Sequence, residues 1–186
     1  MLIRRRMDAL KTDLEAIRKR ARANMLDGAV TGAYQADRAK VIAVLNEVLA
    51  TEIVCMLRYK HHYFMAAGIH AAPVADEFLE HANQEQGHAD LAAKRICELG
   101  GKPNFNPEGL ATRSHAEYRE GETLEDMIKE DLIAERIAIE TYNEIVRWLG
   151  NDDPTTRRMI EGILAVEEEH ADELSDLVAG LPASTT

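Results

Sequence analysis

The chain has 186 residues, with 22 basic and 33 acidic side chains and a formal net charge of −11. This length is typical of a single domain with a sizeable core, and the 46% of hydrophobic residues exclude an intrinsically disordered chain. The negative charge disfavours a nucleic-acid-binding surface over the whole protein. Two cysteines are too few for a disulfide framework, so we expect a reducing compartment, the cytoplasm.

Residues 1–35 are predicted to form a basic N-terminal helix followed by a linker. Residues 1–22 carry eight basic side chains against three acidic ones, a net charge of +5. Apolar residues recur there at helical spacing, so we expect an amphipathic helix over residues 5–24 and a linker over residues 27–35. The segment lacks the apolar run and cleavage site of a secretory signal, and no stretch of the chain is apolar enough to span a membrane.

Residues 36–180 are predicted to form a bundle of four long helices, followed by a short tail over residues 181–186. Apolar residues recur with the helical period, and glycines and prolines separate the periodic segments. Thr123 has the spacing of a capping box with Asp126, and Asp153 precedes a proline that is suited to the first helical position. The four predicted helices cover residues 37–67, 73–99, 123–150 and 153–180.

The lengths of the links predict the topology of this bundle. Short links around residues 68–72 and 150–153 make the first helix antiparallel to the second, and the third antiparallel to the fourth. Residues 101–121 form a long polar link. A helix of about 27 residues is about 40 Å long, and an extended link of about 21 residues spans roughly 65–70 Å, enough to return along the bundle. We therefore expect an all-α, up-down-down-up four-helix bundle with one long crossover.

A duplicated set of glutamates, tyrosines and histidines lies on the apolar stripes of these helices. Each half of the bundle has a single glutamate, a tyrosine seven residues later, and then a Glu-x-x-His pair. The separation between the single glutamate and the pair is 33 residues in one half and 32 in the other, which indicates an internal repeat. The two sets are Glu52, Tyr59, Glu85 and His88, and Glu135, Tyr142, Glu167 and His170.

The position of these charges predicts a dinuclear metal centre. Unpaired carboxylates are strongly destabilising in a bundle core, so buried ones are paired, protonated or bound to metal. The two side chains of a Glu-x-x-His pair lie one helical turn apart and can bind the same ion. Four carboxylates balance two divalent cations, and carboxylate with imidazole suits iron or manganese, with zinc as a competitor. The alternative is charge on solvated helix faces, but the duplication in register with the core stripes favours the metal centre.

These motifs resemble those of the ferritin-like superfamily, whose di-iron bundles share this ligand pattern. Residues 36–180 are similar to the Dps-like ferritins that carry a bacterioferritin-type di-iron site within each subunit. The segments that carry the resemblance are TEIVCMLRY, EQGHAD, DLIAERIAIETY and VEEEHADEL. The resemblance implies a division of the ligands between two irons: Glu52 and His88 on one, Glu135 and His170 on the other, and Glu85 and Glu167 bridging both.

Three departures from the family pattern change what the resemblance implies. Gln86 stands where bacterioferritins have the methionine that binds haem, so we expect two iron ions, with manganese or zinc as alternatives, and no haem. Only 16 residues follow His170, too few for the fifth helix of 24-subunit ferritins. This favours a homo-oligomeric cage of 12 subunits over one of 24. Cys55 and Cys97 do not occupy the places of the cysteine pair found in some Dps-like ferritins.

Several neighbouring residues have candidate roles beside the centre. Tyr59 and Tyr142 either act on the site, by hydrogen bonding or electron donation, or only pack in the core. Asp131, one turn before Glu135, either orients a ligand imidazole or is a solvated acid. Cys55 is interpreted as a small buried hydrophobe in preference to a redox sensor.

The other histidines show no partner pattern, apart from one that lies near the predicted centre. His81 is one turn before Glu85 and is a minor candidate for approaching it. We expect the remaining ones at the surface or at an interface: His61, His62, His70 and His115.

The predicted function is iron storage and detoxification by a ferroxidase that oxidises Fe(II) with O2 or H2O2 and stores Fe(III) in a cage. A non-storage di-iron or di-manganese peroxidase or catalase uses the same six ligands and stays open as an alternative. A DNA-compacting protein is a third hypothesis, supported only by the basic N-terminal helix. For that helix we prefer packing against a neighbouring subunit.

Overall fold

The computed structural model describes residues 11–69 and 71–180, and in these ranges every regular element is a helix. This confirms the predicted all-α fold. Within the same ranges, none of the helices combines the length and apolar character that a membrane span requires. The six helices are α1 (Leu14–Ala23), α2 (Arg38–Met65), α3 (Ala71–Glu98), α4 (Leu110–Arg113), α5 (Leu124–Leu149) and α6 (Pro154–Gly180).

The described residues divide into two compact units between Ala33 and Tyr34. In the first unit, α1 begins after Asp13, whose carboxylate accepts a hydrogen bond from the amide of Ala16 at 3.0 Å. The prediction of a helix from residue 5 is therefore wrong over residues 11–13, which precede this cap. The earlier part of that prediction, with most of its arginines, lies outside the described residues, as does the predicted tail.

The second unit contains the four long helices, and side-chain caps fix where three of them begin. Asp37 caps α2, and Thr123 and Asp126 make both hydrogen bonds of a capping box at the start of α5. Asp153 accepts the amide of the third residue of α6 at 2.9 Å. The predicted starts of α5 and α6 are confirmed. Helix α3 begins at residue 71, before the proline at 73, because a proline in the first turn removes no intrahelical hydrogen bond.

Helices α2 and α3 form one antiparallel hairpin and α5 and α6 the other, and α2 also faces α5 while α3 faces α6. The link between the hairpins includes the short helix α4, which the sequence did not predict, and packs on α2. Two hydrogen bonds pin it there: the amide of Asn104 donates to the Asn46 side chain at 2.7 Å, and that of His115 to the Thr51 hydroxyl at 2.9 Å. The predicted single crossover is confirmed.

The bundle core changes character along its length. One end is apolar and is filled by a cluster that includes Tyr59, Phe78, Ile128 and Leu174, all fully buried. The middle is occupied by carboxylates, imidazoles and tyrosine hydroxyls that are buried to the same degree. Buried carboxylates require a partner, so the middle of the bundle is where the chemistry of this chain must be sought.

Candidate metal centre

Every bundle helix contributes to one group of buried acidic and imidazole side chains. The single glutamates come from α2 and α5, and the Glu-x-x-His pairs come from α3 and α6. Each pair is aligned because residues three apart share a helix face. All four carboxylate residues are 1% exposed. The six side chains are Glu52, Glu85, His88, Glu135, Glu167 and His170, the same six that the sequence predicted as metal ligands.

Their donor atoms form two overlapping groups. Within each group, one donor atom from every residue lies within 4.8 Å of the others. The residues common to both groups are Glu85 and Glu167, so their carboxylates lie between two candidate ion positions. Glu52 and His88 complete the first group, and Glu135 and His170 complete the second. This division matches the one that the resemblance implies, and metal binding by these residues stays a prediction.

The two imidazoles each face three carboxylates. Nδ1 of His88 lies 3.0 Å from a carboxylate oxygen of Glu167, 3.4 Å from one of Glu52 and 3.5 Å from one of Glu85. The nearest carboxylate oxygens to Nδ1 of His170 are those of Glu167, at 3.4 Å, and Glu85, at 3.5 Å. Each imidazole nitrogen therefore lies at the centre of a set of oxygen donors.

Most of these atoms have no hydrogen-bond partner, although they are buried. Nine buried side-chain nitrogen or oxygen atoms of the described residues lack a partner of acceptable geometry, and five of them belong to this group. The five are Oε1 of Glu85, Nδ1 of His88, Oε1 and Oε2 of Glu167, and Nδ1 of His170. Buried polar atoms without partners are costly in a protein interior. Their convergence from four helices fits a pair of cations that would satisfy them together.

The two repeat tyrosines make reciprocal hydrogen bonds across the bundle. The hydroxyl of Tyr59, on α2, donates to Glu135 on α5, and the hydroxyl of Tyr142, on α5, donates to Glu52 on α2. Each half of the internal repeat thus supplies the tyrosine that holds the single glutamate of the other half. Of the two roles considered for these tyrosines, the observed bonds favour action on the site.

Two polar residues next to His170 were not clearly indicated by the sequence. Gln84 makes a hydrogen bond from its Oε1 to Nε2 of His170, which leaves Nδ1 as the free donor atom towards the centre. The ring of His81 stacks on that of His170 with 3.9 Å between centroids. The repeat gave no signal for either residue, because Val166 and Ile163 occupy the corresponding positions in the second half.

Both roles predicted for Asp131 are wrong, because this residue belongs to a separate buried network. Its carboxylate accepts a hydrogen bond from Nε of Arg58 at 2.7 Å and lies 2.7 Å from Nδ1 of His62. All three side chains are fully buried, so Asp131 is not solvated and these bonds are not directed at the imidazoles of the centre. The surface position expected for His62 is also wrong. His61 and His115 are partly exposed, and His70 lies outside the described residues.

The two cysteines differ in their surroundings. Cys55 is buried in a small cluster with Ala116 and Ala134, and Cys97 is exposed. Burial raises the pKa of the Cys55 thiol well above its ordinary value, which keeps it protonated and unreactive at neutral pH. These observations agree with the interpretation of Cys55 as a small buried hydrophobe.

Burial and mutual repulsion divide the four carboxyl groups into two kinds. Burial, with the charge of Glu85 nearby, raises the pKa of Glu52 to about 8. In the same way burial, with the charge of Glu167, raises the pKa of Glu135 well above its ordinary value. Burial also opposes the ionisation of Glu85 and Glu167, but hydrogen bonds from neighbouring carboxyl and imidazole groups outweigh it and lower the pKa of both. The single glutamates are thus protonated at neutral pH and the shared ones ionised.

The imidazoles are charged for the complementary reason. Burial opposes their protonation, but hydrogen bonds to the surrounding carboxylates raise the pKa of His88 to about 12 and that of His170 to about 9. Two imidazolium rings then balance two carboxylates, and two further carboxyl groups stay neutral. The ligand set is therefore electrically neutral on its own, and a cation must displace protons in order to bind.

A four-helix bundle in which two single glutamates and two Glu-x-x-His pairs converge is the arrangement of the di-iron and di-manganese carboxylate proteins. The family model of the ferritin-like domain matches residues 42–183 of this sequence. The chain therefore belongs to the ferritin-like family.

Individual relatives agree with this assignment along most of their own length. The chain is 28% identical over 142 residues to a bacterioferritin of Rhodobacter capsulatus, which covers 76% of this chain and 84% of the relative. It is 29% identical over 150 residues to a DNA protection during starvation protein of Pyrococcus furiosus, covering 79% and 81%. The solved structure of a dodecameric thioferritin from Bacteroides fragilis matches with a TM-score of 0.75 and 32% identity, over 78% of this chain and 88% of that one.

Proposed function

We propose that this protein is a ferroxidase that stores iron. The observation that carries the proposal is the convergence of four buried carboxylates and two imidazoles whose unpartnered donor atoms form two overlapping groups. Two Fe(II) ions are the substrates of this site. Glu52 and His88 would hold one, Glu135 and His170 the other, and Glu85 and Glu167 both.

The charge of the ligand set supports oxidation. Four ionised carboxylates balance two Fe(II) ions, and they attract two Fe(III) ions more strongly because the Coulomb energy increases with the charge of the ion. Each Fe(II) gives up one electron. One O2 accepts both electrons with two protons and forms H2O2, or one H2O2 accepts both with two protons and forms two waters. Tyr59 and Tyr142 keep Glu135 and Glu52 in position during this change.

Storage and assembly are supported by the relatives. The Rhodobacter capsulatus relative is named a bacterioferritin, and the Bacteroides fragilis structure is described as dodecameric. We extend both properties to this chain as a cage of twelve subunits in which Fe(III) mineralises. Twelve chains of 20.8 kDa give a protein shell of about 250 kDa, and twenty-four would give about 500 kDa. The side chain of Gln86 has no haem-binding chemistry, so iron is the only group we assign.

Aerobic addition of Fe(II) tests the oxidation step. We expect a rapid increase in Fe(III) absorbance in the wild type and its loss in Glu167→Ala and in His170→Ala. Glu168→Ala is a matched control, because the exposed Glu168 side chain is the next carboxylate on the same helix. Unchanged rates in both site variants, with circular dichroism showing intact helices, would show that iron is oxidised elsewhere.

Gel filtration at increasing ratios of iron to protein tests storage. We expect about tens of irons per chain to elute with an assembly of the size given above. A plateau at about two irons per chain would keep the dinuclear site and move the protein to the class of non-storage di-iron or di-manganese enzymes.

A further inference from the structure

A second group of potential ligand atoms lies outside the six residues of the centre. Glu77 and His81 on α3 and Glu173 on α6 each place one donor atom within 4.8 Å of the others. The His81 side chain is 1% exposed, while those of Glu77 and Glu173 are 32% and 44% exposed. The group therefore connects a buried imidazole to two carboxylates that reach solvent.

Hydrogen bonding determines which nitrogen of His81 carries the proton once the centre is loaded. At that point Glu135 is an ionised ligand, so the only proton of the Tyr59 hydroxyl is donated to it. The hydroxyl oxygen of Tyr59 can then only accept, and Nδ1 of His81, at 3.2 Å, must be the donor. In the neutral ring Nε2 is left with a lone pair. This step rests on the proposed function, since it requires cations at the centre.

That lone pair faces two carboxylates. Nε2 of His81 lies 3.0 Å from Oε2 of Glu173 and 3.4 Å from Oε1 of Glu77. Three groups that can only accept would repel one another, so a positive species is needed between them. A second proton on His81 would instead place a cationic ring against His170, whose ring is 3.9 Å away and which would itself bind a cation. A cation on the solvent side of His81 avoids that repulsion.

The spacing of the donor atoms suits such an ion. Two ligand atoms about 2.1 Å from a metal ion are about 3.0 Å apart at an octahedral angle and about 3.4 Å apart at a tetrahedral one. We propose that Glu77, His81 and Glu173 form a mononuclear site for a divalent cation, beside the dinuclear centre and filled after it. Fe(II) is the natural occupant, and water can complete the coordination because both carboxylates are exposed. Tyr59 joins His81 to Glu135, so the third ion is connected to the centre by one chain of hydrogen bonds.

Zn(II) binding measured against a chromophoric chelator tests this site without any redox step. We expect three Zn(II) per chain in the wild type, the third bound last, and two in the variant Glu77→Gln/Glu173→Gln. The matched control is Glu80→Gln/Glu169→Gln, which removes the same charge from exposed positions of the same two helices and should still bind three. Circular dichroism confirms that each variant is folded.

The possible outcomes separate the two proposals. Two Zn(II) in the wild type, or an equal number in the wild type and in Glu77→Gln/Glu173→Gln, would overturn the third site and leave the dinuclear centre standing. Loss of one equivalent in the Glu80→Gln/Glu169→Gln control as well would assign the effect to general charge and also overturn it. Fewer than two Zn(II) in the wild type would overturn the dinuclear centre itself.

Discussion

Cation binding at the centre should release protons in a number that the ionisation of the ligands determines. Without cations, His88 and His170 are imidazolium rings, and Glu52 and Glu135 are neutral acids. All four residues must lose a proton before they can donate a lone pair to an ion. Two protonated imidazoles and two protonated carboxyl groups give about four protons released for two divalent ions at pH 7.

The same count predicts how binding depends on pH. Each displaced proton adds one unit to the slope of the logarithm of the apparent binding constant against pH, so the constant for the pair of ions should change about 10⁴-fold per pH unit near pH 7. The protonated forms dominate below the pKa of each group, so lowering the pH weakens binding. The slope should decrease above about pH 8 to 9, where Glu52 and then His170 lose their protons in the empty protein.

A pH-stat titration with Zn(II) in weakly buffered solution measures the protons directly. Zn(II) is suitable because it is not oxidised, so no proton comes from redox chemistry. The variant Glu77→Gln/Glu173→Gln limits the count to the dinuclear centre and should give the same four protons. Release of fewer than about one proton per pair of ions would refute the reasoning, since the empty site would then hold neutral imidazoles and ionised carboxylates.

Three substitutions test the residues around the centre. Tyr59→Phe removes the donor to the buried Glu135 and should lower the free energy of unfolding of the metal-free protein by about 1–3 kcal/mol, measured with guanidinium chloride. Gln84→Ala removes the acceptor that orients the neighbouring imidazole and should weaken Zn(II) binding by about 10–100-fold in the chelator assay. Arg58→Met leaves Asp131 charged and unpaired in the interior and should cost about 3–5 kcal/mol of stability by the same denaturation method.

Matched changes at exposed positions provide the controls. Gln86→Ala, on the solvent side of α3, should leave Zn(II) affinity unchanged, and a loss equal to that of the buried glutamine would contradict an orienting role. Arg157→Met breaks an exposed ion pair with Glu161 and should cost less than about 1 kcal/mol. Equal costs in the two arginine variants would contradict a structural role for the buried pair.

Local signals along the chain were enough to predict the bundle. The starts of α5 and α6 follow from side-chain caps, which involve residues only three positions apart. The crossover follows from the length of one polar link. The six candidate ligands were found because a repeat places each glutamate on the apolar stripe of its own helix, where a solvated charge has no place. Each of these features is a property of one segment or of its spacing from the next.

Contacts between helices were a different matter. The sequence places Asp131, Arg58 and His62 on helices α5 and α2 but does not say which side chain meets which, so the roles expected for Asp131 and the surface position of His62 were wrong. Gln84 had no counterpart in the repeat. Its role became visible only when α3 and α6 were packed together, because the imidazole that it holds belongs to the other helix.

The sequence by itself therefore determined the helices, their order and the number and type of donor groups. The tertiary structure alone decided which carboxyl groups are shared, which tyrosine serves which glutamate and where the protons lie. The physical reason is that helical periodicity reports the face on which a residue lies, whereas hydrogen bonds and pKa values depend on the distance to side chains of other helices. Those distances exist only once the four helices are packed.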